Sequence, residues 1–268
     1  EFAVGVLRHV SADLAVTRPD RPAGRGRALS SPPVALAAKE MGIPVAQPQD
    51  VNAFDLSGYD DVVVCAFGAW IKEPLLSHTG LINIHPSLLP RWRGAAPLER
   101  AIMAGDAETG VCIMGVVEEL DAGPVHLVER EPIWPDDTYG ALAARLQPIA
   151  ADLLERYLVE RPPGQQQGNE GMTYAEKIKG ADRLLDAGRS PDENARVVRA
   201  LSPHIGAKAG ELGVWLAAPL DGEAVEPGAL AVSEGRLLWG CAGGALELLE
   251  VQPPGKRRMA AADYARGL

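Results

Sequence analysis

Asp61-Val-Val-Val-Cys-Ala-Phe67, stopped at Gly68, is a continuous apolar run of strand length, and its reading decides the front half of this chain. An apolar run without polar alternation is the pattern of a parallel strand buried on both faces. Leu81-Ile-Asn-Ile-His85, stopped by Pro86, repeats the pattern. Successive strands of this kind predict an open α/β sheet, in which ligands gather in the crevice beyond the carboxyl ends of the strands. The loops that follow, Gly68-Ala-Trp70 and Pro86-Ser-Leu-Leu-Pro90, are thereby delivered toward one candidate site.

Working outward, Pro97 to Ala104 reads as a helix closed by Gly105, and Gly110–Val117 and Val125–Ile133 read as strands bracketing the loop Glu118 to Pro124. That loop holds Asp121. Asp136-Asp137-Thr138 can cap a helix in which Leu142, Leu146, Ile149, Leu153 and Tyr157 recur at helical spacing, and Pro148 is expected to kink or divide it. Composition changes at Arg161-Pro-Pro-Gly-Gln-Gln-Gln-Gly-Asn-Glu-Gly171, a polar, glycine- and proline-rich stretch that reads as a linker. Beyond it, Asn194–Leu201 looks helical, and Gly213–Leu216, Ala229–Val232, Arg236–Trp239 and Leu246–Val251 are short strand-like pieces of the kind that build a small barrel or sandwich. The expected division is a larger domain over 1–163, a linker over 164–181 and a smaller domain over 182–268.

Composition sets outer limits. The chain has 268 residues, 47% of them apolar and 23% charged, within the range of soluble globular proteins. No stretch approaches the roughly eighteen apolar residues of a membrane span, so no membrane partner is expected. Cys65, Cys112 and Cys241 are scattered, without the close pairs of a metal site or disulfide framework, and no basic, apolar and small-residue leader opens the sequence. These features suggest a reducing, cytoplasmic setting. The net charge of −10 argues mildly against a nucleic-acid partner, but the basic residues are grouped. Arg18, Arg21, Arg25 and Arg27 lie close together, Arg91 and Arg93 flank Trp92, and Lys256, Arg257 and Arg258 are consecutive. Any one such run is more often a solvated surface face.

Asn83 and His85 are two positions apart on a strand and leave the same face, so a carboxamide and an imidazole can address one carbonyl. Each of these residues, and Asp121 before Ala-Gly, has an ordinary structural reading when taken alone. The joint pattern is more specific: Asn83-Ile-His85-Pro-Ser87-Leu88-Leu89-Pro90, then Arg91-Trp-Arg-Gly-Ala-Ala-Pro97, Gly105-Asp, Thr109-Gly110-Val, and Leu120-Asp121-Ala-Gly123. It resembles the signature of the 10-formyltetrahydrofolate-dependent formyltransferases.

The resemblance implies a Rossmann-like, mostly parallel α/β N-terminal domain and a smaller C-terminal OB-like β-barrel. It implies Asn83, His85 and Asp121 as the catalytic trio, 10-formyltetrahydrofolate as co-substrate, and no metal. Ser87, Leu88, Leu89 and Pro90 would contact the folate, with Phe67, Gly68 and Trp70 lining the pterin cleft; for Trp70, ordinary core packing is an equal alternative. The amide of Asn83 and a protonated His85 would donate to the developing oxyanion, while Asp121 would pair with the imidazole and help shuttle a proton.

Within the family, Arg91-Trp-Arg-Gly-Ala-Ala-Pro97, Thr173-Tyr-Ala-Glu-Lys177 and Pro254-Gly-Lys256 resemble the branch whose acceptor is initiator methionyl-tRNA. Arg21, Arg25 and Arg27, in a loop resembling that branch's acceptor-stem clamp, and Lys256, Arg257 and Arg258 would bind the tRNA; a monomer is expected. The sequence departs from the family's usual first strand and Phe-x-Gly-Thr-Pro turn, starting instead at Glu1-Phe2-Ala3, and has Ser202-Pro-His-Ile-Gly206 in place of a Pro-Trp-Pro-like stretch. Two other readings stay open: the same trio acting on a sugar amine or water, and a noncatalytic RNA-binding module, against which the intact trio speaks.

Overall fold

A computed structural model describes residues 2–23, 28–222 and 224–268. The chain forms two compact units, one comprising residues 1–95, 110–131 and 143–175, the other residues 96–109, 132–142 and 176–268. The expected linker is thus shared: residues up to Ala175 belong with the first unit and those from Glu176 with the second.

The first unit opens with α1 (Phe2–Leu7), β1 (Ala15–Val16), the hairpin pair β2 (Arg21–Ala23) and β3 (Ala28–Ser30), α2 (Pro33–Glu40) and β4 (Val45–Ala46), which pairs in parallel with β1. Its main sheet is four-stranded and mixed. β5 (Val62–Cys65) runs parallel to β6 (Leu81–His85), with Val64 opposite Asn83, and β6 is antiparallel to β8 (Glu108–Gly115), with His85 opposite Cys112. Outside β8 lies β9 (Val125–Pro132). The apolar run at 61–67 does form a strand, but not one buried on both faces. It is the edge of this sheet, and Val63 is 37% exposed. The central β6 and β8 are the buried ones: Ile82, Ile84, Val111, Ile113 and Met114 are all within 2% of full burial. The short β7 (Arg93–Gly94) follows β6 and pairs in parallel with β10 (Tyr174–Ala175).

The helix α4 (Tyr139–Glu160) begins where the Thr138 hydroxyl accepts the Ala141 amide at 3.2 Å. It runs unbroken through Pro148, contrary to the expected division. Proline removes one ladder hydrogen bond. Buried Leu146, Ala150, Ala151, Leu153 and Leu154 on the same helix supply apolar burial of roughly 1.5–3 kcal/mol for each leucine, enough to outweigh it. Past the helix, Arg161 takes a left-handed backbone (φ 46°), and its guanidinium binds both oxygens of Asp61, holding that carboxyl below the usual aspartate range.

In the second unit, α3 (Pro97–Ala104) starts on proline and ends at Gly105 (φ 76°), as its sequence predicts. Arg196 of α5 (Pro191–Leu201) reaches the Met103 carbonyl at its end. The N-terminus of α5 is closed by a reciprocal Ser190–Glu193 capping box. Five antiparallel strands, β11 (Ala207–Ala209), β12 (Leu212–Asp221), β13 (Leu230–Ser233), β14 (Arg236–Cys241) and β15 (Gly244–Gln252), form a curled sheet in the order β11-β12-β15-β14-β13. β16 (Met259–Ala260) pairs with β15 and leads into α6 (Ala261–Ala265). Val197, Val198 and Leu201 of α5 close its core with Val214, Leu237, Leu246 and Val251. The sheet is a half-barrel, with β11 and β13 as its ends.

Candidate active site

The site is built at the carboxyl end of β6. Asn83 and His85 leave one face of that strand; Asn83 is half-buried and His85 only 3% exposed. Asp121 comes from the loop between β8 and β9 and sits in the left-handed region (φ 47°), which aspartate tolerates better than most residues. Asn83 Nδ2 donates to Asp121 Oδ1 at 3.3 Å, and the Gly94 amide donates to Asp121 Oδ2 at 2.8 Å. His85 Nδ1 lies 3.7 Å from Asp121 Oδ2. Its Nε2 is 2.9 Å from the Trp92 carbonyl oxygen. A carbonyl can only accept, so in this geometry Nε2 carries a hydrogen, and Nδ1 is the nitrogen that faces the carboxylate. The second amide hydrogen of Asn83 remains available to a ligand. The structure therefore brings together all three residues that the sequence singled out.

The expected folate contacts divide. Ser87 is fully buried, and its hydroxyl donates to the Arg91 carbonyl at 2.7 Å, so this side chain closes the loop on itself. Beneath it, the Cys112 thiol donates to the Ser87 carbonyl at 3.1 Å, and burial pushes the thiol up to about 11, so it stays neutral. Leu88, Leu89 and Pro90 are half-buried, and a Cβ at Gly110 would stand 2.6 Å from the Leu88 side chain. Phe67 is half-buried and Gly68 exposed. Trp70 is 53% exposed, which removes the core-packing alternative. Partly exposed leucines that follow the strand carrying a carboxamide and an imidazole offer apolar surface of the kind that suits a flat heterocycle.

Of the expected tRNA contacts, Arg21 is exposed on β2, whereas Arg25 and Arg27 lie outside the described residues. Lys256 and Arg257 are exposed. Arg258 is engaged within its own unit, with its guanidinium 3.2 Å from the centroid of the Trp215 ring and donating to the Pro203 carbonyl at 2.9 Å. Among the described residues no group of three or more His, Cys, Asp or Glu side chains is arranged to hold a metal ion.

Sequence reasoning missed two residues beside the trio. Arg93, 3% exposed, gives Nη1 to Glu119 at 3.1 Å and Nε and Nη2 to Gln167 Oε1 at 3.0 and 2.9 Å. Gln167 in turn donates to the Asp121 and Gly123 carbonyls, both at 2.8 Å. The sequence offered one signal for Arg93, its place in the Arg-Trp-Arg motif, and none for Gln167 within a glutamine run.

Comparison with known proteins defines the class as a formyltransferase: the Formyl transferase family matches residues 7–158, and the family described as formyl transferase, C-terminal domain, matches residues 177–268. Curated methionyl-tRNA formyltransferases are similar over the full chain. The protein of Aromatoleum aromaticum is 40% identical, covering 100% of this chain and 91% of its own, and that of Paracoccus denitrificans is 42% identical, covering 100% and 95%. The chain belongs to the methionyl-tRNA formyltransferase family. Among solved structures, a Helicobacter canadensis N-formyltransferase in complex with folinic acid and dTDP-3-aminofucose superposes with a TM-score of 0.66 at 14% identity, covering 97% of this chain and 96% of its own. HypX from Aquifex aeolicus in complex with tetrahydrofolic acid gives 0.60 at 20% identity, covering 84% of this chain and 43% of its own. These two share the fold.

Proposed function

We propose that Asn83, His85 and Asp121 transfer the formyl group of 10-formyltetrahydrofolate to the amino group of methionine on initiator methionyl-tRNA, the step that prepares this tRNA to start protein synthesis. The observation that carries the reading is the convergence of Asn83 Nδ2 and His85 Nδ1 on Asp121, at 3.3 and 3.7 Å, in a chain related to methionyl-tRNA formyltransferases along all of its given sequence. The folate supplies an activated formyl carbon on a nitrogen leaving group. As the amine adds, negative charge grows on the formyl oxygen. The free amide hydrogen of Asn83 and an Nδ1–H of His85 donate to that oxygen, in a site already organised before reaction. The attacking nitrogen must lose a proton, and Asp121, with Nδ1 beside it, is the base that takes it, directly or through a water. As the intermediate collapses, the bond from the formyl carbon to the folate nitrogen breaks and that proton passes to the departing nitrogen. Gly94 N–H holds the carboxylate while this happens.

In this reading Trp70, Leu88, Leu89 and Pro90 contact the pterin, with Phe67 and Gly68 lining the same cleft. Arg21, Arg25, Arg27, Lys256 and Arg257 contribute positive charge toward the tRNA phosphates. The interactions of Arg258 support a structural part for that residue instead. A monomer is the working unit in this reading, and the substrates are those of cytoplasmic translation.

The test mixes the protein with 10-formyltetrahydrofolate and charged initiator tRNA and assays formyl-methionine. His85→Ala is expected to remain folded and to lower turnover by at least about a hundredfold. A loss below about tenfold would remove His85 from the mechanism.

A further inference from the structure

We propose that residues 165–175, which lie within the expected linker over 164–181, form a positioning strap for the reaction centre, with Gln167 setting Asp121 and Thr173 setting His85. This rests on the reading that Asp121 and His85 carry the transfer.

The carboxamide of Gln167 is used to capacity. Both of its hydrogens go to main-chain oxygens of the Asp121 loop, at 2.8 Å each, and its oxygen accepts two hydrogens from buried Arg93. Arg93 also holds Glu119, so the loop is gripped at Glu119, Asp121 and Gly123. Glutamine suits this place because it must donate to carbonyls on one side and accept from a guanidinium on the other. Glutamate would keep the second contact and set an acceptor against two acceptors.

Thr173 works on the opposite bank. Its Oγ1 accepts the Trp92 amide at 3.0 Å, its carbonyl accepts the Arg93 amide at 2.9 Å, and its amide donates to the Pro90 carbonyl at 3.4 Å. Trp92 has φ 63°, a strained backbone for a bulky residue that persists only where its surroundings over-determine it. In that conformation its carbonyl accepts from His85 Nε2. One residue further, Gly94 at φ 124° presents its amide to Asp121, and a Cβ there would stand 2.7 Å from the Ala175 carbonyl. The strap thus clamps residues 90–95, and that segment holds both reacting groups.

The test uses steady-state kinetics on the full chain. Gln167→Glu and Thr173→Val are expected to lower kcat by about tenfold to a hundredfold, the scale of small misplacements of reacting groups, with KM for both substrates unchanged and the protein still folded at the assay temperature. Thr173→Ser, which keeps the hydroxyl, restores kcat. In an Asp121→Asn background, Gln167→Glu adds little further loss, because its effect passes through Asp121. Should Gln167→Glu not fold, Gln167→Ala is read in the same way. Wild-type kcat in both strap variants, or a full multiplicative loss on top of Asp121→Asn, overturns the strap. Wild-type activity in Asp121→Asn alone overturns instead the catalytic reading on which it rests.

Discussion

Asp121 has two jobs that a single substitution would confound: its carboxylate meets Asn83 and the Gly94 amide, and its backbone takes a left-handed turn at φ 47°. Asparagine shares the tolerance for that turn, and alanine does not, at a cost of about 1–2 kcal/mol. Asp121→Asn should therefore abolish most formyl transfer at an unchanged melting temperature, whereas Asp121→Ala should lose transfer and also melt lower. Thermal denaturation alongside turnover checks both, and a fully active Asp121→Asn would leave the residue with the turn alone. At this scale the convergence of Asn83, His85 and Asp121 was legible because their residue types stand in a motif. The inward turn of the Ser87 hydroxyl and the exposure of Trp70 were not, since both depend on what the folded chain places around them. Gln167 is indistinguishable from Gln165 and Gln166 in sequence, and only the carbonyls that face it single it out.

Among the elements, α4 carries a sequence conflict that packing overrides. Pro148 is exposed in the helix interior, so it removes a ladder bond and contributes no core contact. Pro148→Ala restores that bond and is expected to raise stability by roughly 1–3 kcal/mol, or about 2–4 °C in melting temperature per kcal/mol, with formyl transfer unaltered. An unchanged or lower melting temperature would show that the helix is shaped around the proline. The periodic positions Leu142, Leu146, Leu153 and Tyr157 were readable in advance and are buried. So were the strand β8 and the closure of α3 at Gly105. The apolar run at 61–67 misled on burial because hydrophobicity reports that a strand is covered somewhere, not how many neighbours it has. In the half-barrel, short strand-like pieces were found but underestimated. β12 runs ten residues, and shifts in register on either side of Leu216 interrupt its alternation, so that Val214 and Trp215 are both buried.

For the whole molecule, a net charge of −10 has to be reconciled with a polyanionic substrate. Affinity for tRNA must then come from local clusters, each neutralised phosphate contributing to the salt dependence. Replacing Arg21, Arg25 and Arg27 by alanine is expected to weaken tRNA binding, to flatten its logarithmic salt slope by roughly two to three units and to leave folate affinity intact. Binding measured from low to moderate salt for both proteins checks this, and an unaltered slope would exclude the loop as a phosphate clamp.

The strap has a bearing on how such chains can be recombined. The two family matches end at residue 158 and resume at 177, so the strap lies between them, where a boundary drawn from composition alone would permit a cut. A chimera joined just after Arg161 would take Asn83, His85 and Asp121 from one parent and the residues that hold them from another. Joining after Ala175 keeps both in one inheritance, so with the proposed strap a working crossover in this chain is expected past it, at the edge of the first compact unit.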